Sequence, residues 1–255
     1  MKTAVYQSYR TRNVADWIST CLASVENWAG ERGFDYRFYD DGIFERVPLW
    51  FLEKAGKHLQ IATDLGRLIL ARELLNEGYE RVVWLDADIL VFDPKGFSIP
   101  TTTEFAFGRE IWVQPKTKGG IKVYRNVHNA VSVYCQNNSF LDFYILSSLR
   151  ILERAEGRLV PQIIGTKFLT AQHNMIGFPL LDEVGMASPR VVQDLAAGSG
   201  PALDLLQKNL NAPMRAINLC SSFAGDDVDD VFLTSPLLEQ ACKTLLGLKN
   251  GLTHK

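Results

Sequence analysis

The sequence predicts an α/β protein whose central sheet is mixed, mostly parallel and flanked by helices. Its first 85 residues alternate between short apolar stretches and longer segments with apolar residues at helical spacing. The stretch 81–85 is apolar almost throughout, which is typical of a strand buried on both faces of a parallel sheet. The chain has 255 residues, of which 47% are hydrophobic, and this is enough for one large domain.

In the opening half the order of elements is strand, helix, strand, helix, strand. The segments that predict them, in chain order, are residues 3–9, 14–29, 34–39, 59–76 and 81–85. Asn13 is in position to cap the first helix, and residues 40–50, which contain a proline, form a loop. This alternation implies a layered fold in which helices connect parallel strands by right-handed crossovers.

The second half of the chain alternates less regularly. Strands are predicted near residues 105–107, 131–134 and 215–220, and helices near residues 141–155, 202–210 and 236–247. The stretch 111–126 is rich in lysine and glycine, so we expect a mobile loop there. Residues 157–200 are expected to be irregular. Since no repeat or linker divides the chain, a single domain is expected over residues 1–255.

The charge balance argues against several classes of partner and location. There are 27 Lys and Arg against 29 Asp and Glu, and no block of like charge, so we expect no nucleic-acid partner. No apolar run approaches the ~20 residues of a transmembrane helix, and the N-terminus lacks the apolar core of a signal peptide. The four cysteines are widely spaced, which favours reduced thiols and a cytoplasmic location.

Two aspartates interrupt an apolar run directly after the strand predicted at 81–85. Asp86 and Asp88 are two residues apart, so on an extended chain both carboxylates point to the same face. Two such charges raise each other's pKa, and a divalent cation removes that penalty. Mg²⁺ and Mn²⁺ prefer oxygen ligands and are commonly held by one or two carboxylates together with substrate phosphates. Ligands of open α/β sheets bind beyond the carboxyl ends of strands, which is where this pair lies.

Four segments together resemble the core of a known enzyme family. They are Thr63–Arg67 on a predicted helix, Trp84–Ile89 around the two aspartates, His128–Val131, and Gly165–Thr170. Their order and content are similar to those of the DxD-containing GT-A glycosyltransferases, and the matches span residues 60–170. The aspartate pair and its flanks are the most specific part of this resemblance, and the last two segments are the least specific.

The resemblance implies a GT-A-like nucleotide-sugar-binding fold and a metal-dependent glycosyltransferase of the hexosyltransferase type. The donor would be a UDP- or GDP-sugar and the acceptor a hydroxyl group on a carbohydrate or another molecule. Asp86 and Asp88 would hold Mn²⁺ or Mg²⁺, while Asp64 and Arg67 would lie near the nucleotide and diphosphate. We also expect Tyr6 among the donor-binding residues. Residues 1–110 would form the nucleotide-binding half of the domain and residues 111–255 the acceptor-binding half.

The resemblance leaves the third metal ligand and the catalytic groups open. Many members of the family supply a histidine near the C-terminus, and the comparable strand here offers only the amide oxygen of Asn218. The most similar relatives mostly retain the configuration of the sugar, so we expect retention. The candidate groups near the acceptor are Asn129, Gln162, Asp182 and His173, although each is more typical of an ordinary polar loop residue.

Two other functions compete with the transferase. In the first, Asp86 is the nucleophile of a phosphatase that resembles the haloacid dehalogenase group, whose second acidic motif would be Gly225–Asp230. In the second, the chain binds a nucleotide sugar without turning it over, since fold does not fix function. Three aromatic residues, Trp50, Phe51 and Trp112, belong either to the core or to an acceptor groove or interface.

Overall fold

The computed structural model describes residues 1–248 and 250–254, and in this part of the chain eight α-helices lie around strands that form one large and two small sheets. The helices are α1 (Asp16–Glu31), α2 (Leu49–Ala55), α3 (Leu59–Asn76), α4 (Leu141–Arg154), α5 (Thr166–Ile176), α6 (Pro189–Ala197), α7 (Pro201–Gln207) and α8 (Ser235–Leu246). Short 3-10 helices span Asp41–Arg46 and Ser221–Phe223. None of the described helices has the length and apolar character needed to cross a membrane.

The large sheet has six strands, and three of its five pairings are parallel. In chain order the strands of the described residues are β1 (Thr3–Ser8), β2 (Asp35–Tyr39), β3 (Arg81–Leu85), β4 (Ile89–Val91), β5 (Phe105–Pro115), β6 (Ile121–Cys135), β7 (Leu180–Leu181), β8 (Val184–Met186), β9 (Ala216–Asn218), β10 (Asp227–Val228) and β11 (Val231–Phe232). The large sheet has the order β2-β1-β3-β6-β5-β7, in which β6 is antiparallel to both of its neighbours. The predicted mixed, mostly parallel sheet flanked by helices is confirmed.

Alternate residues of β3 pack against helices on opposite faces of this sheet. Val82 and Trp84 belong to the core that α3 and α4 share with the sheet. Val83 and Leu85 belong to a second core, which α1 completes. The apolar composition of β3 follows from this burial on both faces, and it leaves Asp86 as the first polar residue after the strand.

A small sheet, in the order β4-β9-β8, continues the chain beyond the two aspartates. β9 is antiparallel to β4 and parallel to β8. Its register pairs Ile89 with Asn218, so the C-terminal part of the chain returns beside the turn that carries the aspartates. This pairing joins residues more than 120 positions apart in sequence, which local pattern cannot predict.

An irregularity in β6 shapes the edge of the large sheet that faces the aspartates. Phe107 of β5 pairs with Ser132 of β6, but Gly108 pairs with His128, so residues 129–131 are additional on β6. The backbone N–H of Asp86 donates to the carbonyl of Ala130 over 2.8 Å. This bulge therefore connects β6 to the turn after β3.

The predicted mobile loop at 111–126 is wrong. Those residues form the outer arms of the β5–β6 hairpin, whose turn contains Gly119 and Gly120, both with positive φ. Ile111 and Val113 are buried while Trp112 is half-buried, and this alternation is the signature of a strand. The lysines and glycines of this stretch lie at or next to the turn. Because they dominate its composition, the whole stretch was predicted to be a loop.

Three further expectations also need correction. The segment 157–200, expected to be irregular, contains α5 and α6 and the short strands β7 and β8. Helix α2 lies partly in the loop predicted at 40–50 and was not expected. Helix α1 begins at Asp16 after an N-cap at Ala15, and Asn13 adopts a left-handed conformation before it instead of capping it.

Candidate functional site

A cavity of about 1150 Å³ opens at the carboxyl ends of β1 and β3. Typical ligand pockets measure about 300–1,000 Å³, so this cavity can hold a large ligand or two smaller ones. Its walls come from the segment after β1, the turn after β3, helix α3, the start of α5, the β5–β6 hairpin and the segment after β9. Both halves of the chain therefore contribute to a single site.

The turn that carries the two aspartates is fixed by backbone and amide hydrogen bonds. The N–H of Ile89 donates to the carbonyl of Asp86 over 3.0 Å, and the side-chain amide of Gln7 donates to the same carbonyl over 3.1 Å. Leu219 donates its N–H to the carbonyl of Asp88 over 3.0 Å. The turn is thus held by β1 on one side and by the segment after β9 on the other.

The carboxylate of Asp86 faces the cavity and is held by two donors. The guanidinium of Arg67 donates to Oδ1 over 2.8 Å, and the indole N–H of Trp84 donates to the same oxygen over 2.5 Å. Burial raises the pKa of Asp86 to about 7, the charge of Asp88 adds to the rise and Arg67 opposes it. Since 30% of the side chain is exposed, the second oxygen is available to a ligand in the cavity.

Asp88 is more deeply placed and has its own pair of donors. The amide of Asn218 donates to Oδ1 over 2.6 Å, and the backbone N–H of Ser221 donates to Oδ2 over 2.6 Å. Burial raises the pKa of Asp88, and the hydrogen bonds from Ser221 oppose the rise. The two carboxylates are therefore held by different parts of the chain.

Arg67 is the buried cation behind the aspartate pair, with 4% of its surface exposed. It donates to Asp64 as well as to Asp86, and its guanidinium lies 5.6 Å from the ring of Trp84. Its carbonyl accepts a hydrogen bond of 2.9 Å from the hydroxyl of Tyr6. Burial lowers the pKa of Arg67, but the charges of Asp64 and Asp86 more than offset this, so its pKa lies above the ordinary value.

Asn129 extends this network into the wall of the cavity. It lies in the bulge of β6, and its amide donates to Asp64 over 3.0 Å. Gly165, the N-cap of α5, packs directly against this pair. A Cβ at Gly165 would lie 2.8 Å from the Asn129 amide nitrogen and 2.9 Å from a carboxylate oxygen of Asp64, so only glycine leaves both side chains in place.

The carboxylates of the cavity suit a divalent cation only in combination with an anionic ligand. Six carboxylates and three cationic side chains line the cavity, which gives it a formal charge of −3. Across residues 1–248 and 250–254, no group of three or more acidic, histidine or cysteine side chains is arranged to hold a metal ion. A site with two carboxylates fits Mg²⁺ or Mn²⁺ whose remaining ligands are water and phosphate oxygens.

Comparisons with known proteins return only distant similarity. No protein-family model matches the chain, and no curated protein matches it either. A glycosyltransferase involved in the glycosylation of the major capsid of PBCV-1 aligns over 94% of this chain and 98% of its own, with a TM-score of 0.49 and 10% identity. Mouse xyloside xylosyltransferase 1 aligns over 87% and 98%, with a TM-score of 0.43 and 11% identity. At these values neither structure assigns a fold family or an activity to the chain.

Most of the residues that the sequence predicted for the site do meet in this cavity. Those that line it are Asp64, Arg67, Asp86, Asp88, Asn129, Gln162 and Asn218. Gln162 is exposed at its mouth, whereas Asn218 is buried against Asp88. In the structure the amide oxygen of Asn218 accepts from the N–H of Cys220 over 2.7 Å, and its nitrogen faces Asp88.

Three predicted residues lie elsewhere. Tyr6 is fully buried in the core, so it supports Arg67 and does not reach a ligand. The carboxylate of Asp182 accepts hydrogen bonds from Arg109 and Asn211 outside the cavity. His173 accepts a hydrogen bond from the N–H of Phe178 at the end of α5, also outside the cavity. The sequence could not identify Asp182 and His173 as lying outside the site, because the direction of a side chain in an irregular segment cannot be predicted from local sequence.

Many cavity residues were not predicted as site residues. Among them are five from the β5–β6 hairpin and the segment after β9, namely Glu110, Gln114, Asn126, Ser221 and Phe223. Glu110, Trp112 and Gln114 are spaced two apart, and such spacing on a strand places side chains on one face. The sequence therefore contained the spacing of a strand face, but the prediction of a mobile loop at 111–126 led us to overlook it.

The acidic cluster near the C-terminus does not assemble a second acidic motif beside Asp86. Asp229 lines the cavity, but Asp226 does not, and Asp230 pairs with Arg190. Asp86 itself is held by Arg67 and Trp84. A phosphatase of the haloacid dehalogenase type needs acidic residues of that later motif close to its nucleophile, and this arrangement does not provide them.

Proposed function

We propose that the chain is a metal-dependent glycosyltransferase with a GT-A-like site, which transfers a sugar from a nucleoside-diphosphate sugar to an acceptor hydroxyl. The observation that carries this proposal is the pair Asp86 and Asp88 at the carboxyl end of β3, facing a cavity large enough for a donor and an acceptor. Within residues 1–248 and 250–254 no third acidic side chain completes a metal site, and such a carboxylate pair suits a cation that arrives with a diphosphate.

The donor would bind with its diphosphate at the aspartate pair. When bound, Mn²⁺ or Mg²⁺ supplies Lewis-acid stabilisation of the leaving diphosphate. Arg67 orients Asp86 and favours its ionised form, because its guanidinium donates a hydrogen bond to that carboxylate. Two further cations, Arg10 and Lys167, line the cavity and can approach phosphate oxygens.

The reactive carbon of the sugar would face the groups between α3 and α5. Asn129 and Gln162 line this part of the cavity and can donate to or accept from sugar hydroxyls. We propose retention of configuration, on the basis of the family resemblance. Asp182, expected as a further catalytic group, is left out of this assignment because its carboxylate is engaged by Arg109 outside the cavity.

We also propose that the two halves of the chain bind different substrates. Residues 1–110 supply the segment after β1, helix α3 and the aspartate pair, which together would hold the nucleotide and diphosphate. Residues 111–255 supply the rest of the hairpin, the start of α5 and the segment after β9, which would hold the acceptor. The side-chain amide of Asn218 would orient Asp88. Its oxygen would become a third metal ligand only if the amide flipped, so that oxygen and nitrogen exchanged places.

A thermal-unfolding experiment tests the donor site. We would measure the midpoint with UDP, GDP and their sugar derivatives, each with and without Mn²⁺. A ligand at 100 times its Kd stabilises the native state by about 2.7 kcal/mol, which corresponds to roughly 5–10 °C for a chain of this size. We expect such a shift with one nucleotide only when Mn²⁺ is present, and its loss in Asp88→Asn. Asp142→Asn, on the exposed face of α4, is the matched control.

Two other results would point to the competing functions. Hydrolysis of a generic phosphate ester that Asp86→Asn abolishes, without any nucleotide shift, would replace the transferase by a phosphatase. Binding of a nucleotide sugar with no release of the nucleoside diphosphate, with every sugar and acceptor tried, would favour a binding protein.

A further inference from the structure

One wall of the cavity is a row of side chains on the β5–β6 hairpin. Glu110, Trp112 and Gln114 are two residues apart on β5, and all three line the cavity. Asn126 lines it from the neighbouring strand, directly opposite Glu110 in the register. None of these four residues takes part in the aspartate–arginine network described above.

Glu110 is a buried carboxylate in this wall. Its exposed fraction is 8%, and its Oε2 has no hydrogen-bond partner among the described residues. Burial raises the pKa of Glu110 to about 7, and a hydrogen bond from Asn126 opposes the rise. An unsatisfied buried oxygen destabilises a fold, so a group of this kind in a cavity wall is a candidate for contact with a ligand.

Glu110 lines the same cavity as the aspartate pair. The segment after β9 connects the two, because Ser221 donates its N–H to Asp88 and Phe223 lies against Trp112 of the wall. Among the described residues, Glu110 does not join the two aspartates as a metal-binding group. A ligand that contacts Glu110 would lie next to whatever occupies the aspartate pair.

Aromatic side chains adjoin Glu110 on the same wall. The rings of Trp112 and Phe223 have centroids 6.1 Å apart at an interplanar angle of 54°, and both are half-buried cavity residues. Sugar rings present a face of C–H groups and a rim of hydroxyls. An aromatic face beside a carboxylate and two amides, those of Gln114 and Asn126, matches both features.

We propose that this wall is the acceptor subsite and that the acceptor is a carbohydrate, whose ring packs on Trp112 and Phe223 and whose hydroxyl donates to Glu110. The inference rests on the proposed function, because it assigns the acceptor of that reaction. A carbohydrate is favoured over a peptide or a lipid, since the wall combines a small aromatic surface with closely spaced hydrogen-bonding groups. The size of the cavity leaves room for this second ligand beside the donor.

Saturation-transfer NMR with methyl glycosides of xylose, glucose, galactose and mannose tests the subsite directly. Each glycoside would be titrated into the wild type with and without UDP and Mn²⁺. We expect at least one to bind, and we expect Glu110→Gln to weaken it about tenfold or more, as for a hydrogen bond to a charged group. Trp112→Leu should weaken the same glycoside by several-fold or more.

The controls separate a local effect from a general one. Trp50→Leu removes an exposed tryptophan outside the cavity, and Glu77→Gln removes an exposed carboxylate after α3. Both should leave glycoside binding unchanged. Circular dichroism and the unfolding midpoint of each variant establish that it is folded.

The outcomes distinguish this inference from the proposed function. If glycoside binding depends on Glu110 and Trp112 but the protein binds no nucleotide, the carbohydrate subsite is supported and the proposed transferase function is overturned. Nucleotide binding in a protein that binds none of the four glycosides, with or without UDP and Mn²⁺, would overturn the carbohydrate acceptor and keep the donor site. Equal binding by the wild type and both cavity variants would also overturn it.

Discussion

At the scale of single residues, the site depends on one buried cation that serves two carboxylates. Arg67 donates to Asp64 and to Asp86, and Trp84 covers its guanidinium. A planar group with five N–H donors can make both contacts at once, which a lysine ammonium cannot do with the same geometry. Arg67 thereby fixes the direction of the first carboxylate that a cation would meet.

Removing this guanidinium should destabilise the fold strongly. We expect Arg67→Ala to lower the free energy of unfolding by about 3–5 kcal/mol at pH 7, because the largely buried Asp64 and the partly exposed Asp86 lose their counter-charge. Urea denaturation measures the change. Arg46→Ala, which breaks the half-exposed pair with Glu73, should cost less than about 1 kcal/mol. Equal losses in the two variants would mean that Arg67 contributes no more than a surface cation.

Glu110 should make stability fall as pH rises. Its folded-state pKa is raised from 4.5 to about 7, so between these values the native state holds a proton that the unfolded state has lost. Replacing it by glutamine removes this penalty. We expect Glu110→Gln to be more stable than the wild type at pH 8, by at most roughly 3 kcal/mol at 1.36 kcal/mol per pKa unit. Below pH 4.5 the pH-dependent part of the difference should vanish. An unfolding midpoint difference that is the same at pH 4.5 and pH 8 would contradict the raised pKa.

At the scale of elements, the sequence predicted those parts of the fold whose periodicity is undisturbed. β1, β3 and α3 have clear apolar patterns, and the two aspartates stood out because they interrupt one of them. The outer part of the β5–β6 hairpin was missed because the lysines and glycines of its turn outweighed the alternation of Ile111 and Val113. Its cavity residues were missed with it, since a side chain on an assumed loop has no predictable direction.

The bulge of β6 is a second feature that the sequence did not reveal. It turns Asn129 toward Asp64, and its register is visible only when β5 and β6 are paired. The resemblance marked Asn129 as a candidate site residue, but gave no reason for its position. The reason is the close approach of α5, where Gly165 leaves room for the amide.

Gly165 offers a test of this packing. Gly165→Ala places a methyl group against Asn129 and Asp64. We expect the displaced side chains to weaken UDP binding in Mn²⁺ about tenfold by isothermal titration, since displacements of about 1 Å can cost up to ~100-fold at a site. Unchanged UDP binding would place the Asp64–Asn129 pair outside the donor site.

Gly30→Ala is the matched control for that substitution. A Cβ at Gly30 meets no atom within 4 Å, and the residue lies in the last turn of α1. Alanine there should stabilise the protein by about 0.5–1 kcal/mol and leave UDP binding unchanged.

At the scale of the whole molecule, the cavity is formed by segments that are distant in sequence. The predicted division at residue 110 falls within β5, so the nucleotide-binding and acceptor-binding halves share one sheet. The pairing of β4 with β9 then brings Asn218 and Ser221 to Asp88. Sequence pattern anticipated the presence of a strand near residue 216 but not its partner, because long-range pairing leaves no local signal.

The two-carboxylate site makes a prediction about how cation and nucleotide bind together. Since no third acidic, histidine or cysteine ligand is arranged beside Asp86 and Asp88 in the described chain, a cation must complete its coordination with phosphate oxygens and water. We expect Mn²⁺ to raise the affinity for UDP by about 5–150-fold, and UDP to raise the affinity for Mn²⁺ by the same factor, since coupling is reciprocal. Calorimetric titration of UDP and electron paramagnetic resonance of free Mn²⁺ measure the two factors. Asp88→Asn should reduce both toward one, and Asp142→Asn should reduce neither. Tight Mn²⁺ binding without UDP would show that the protein alone supplies the coordination sphere.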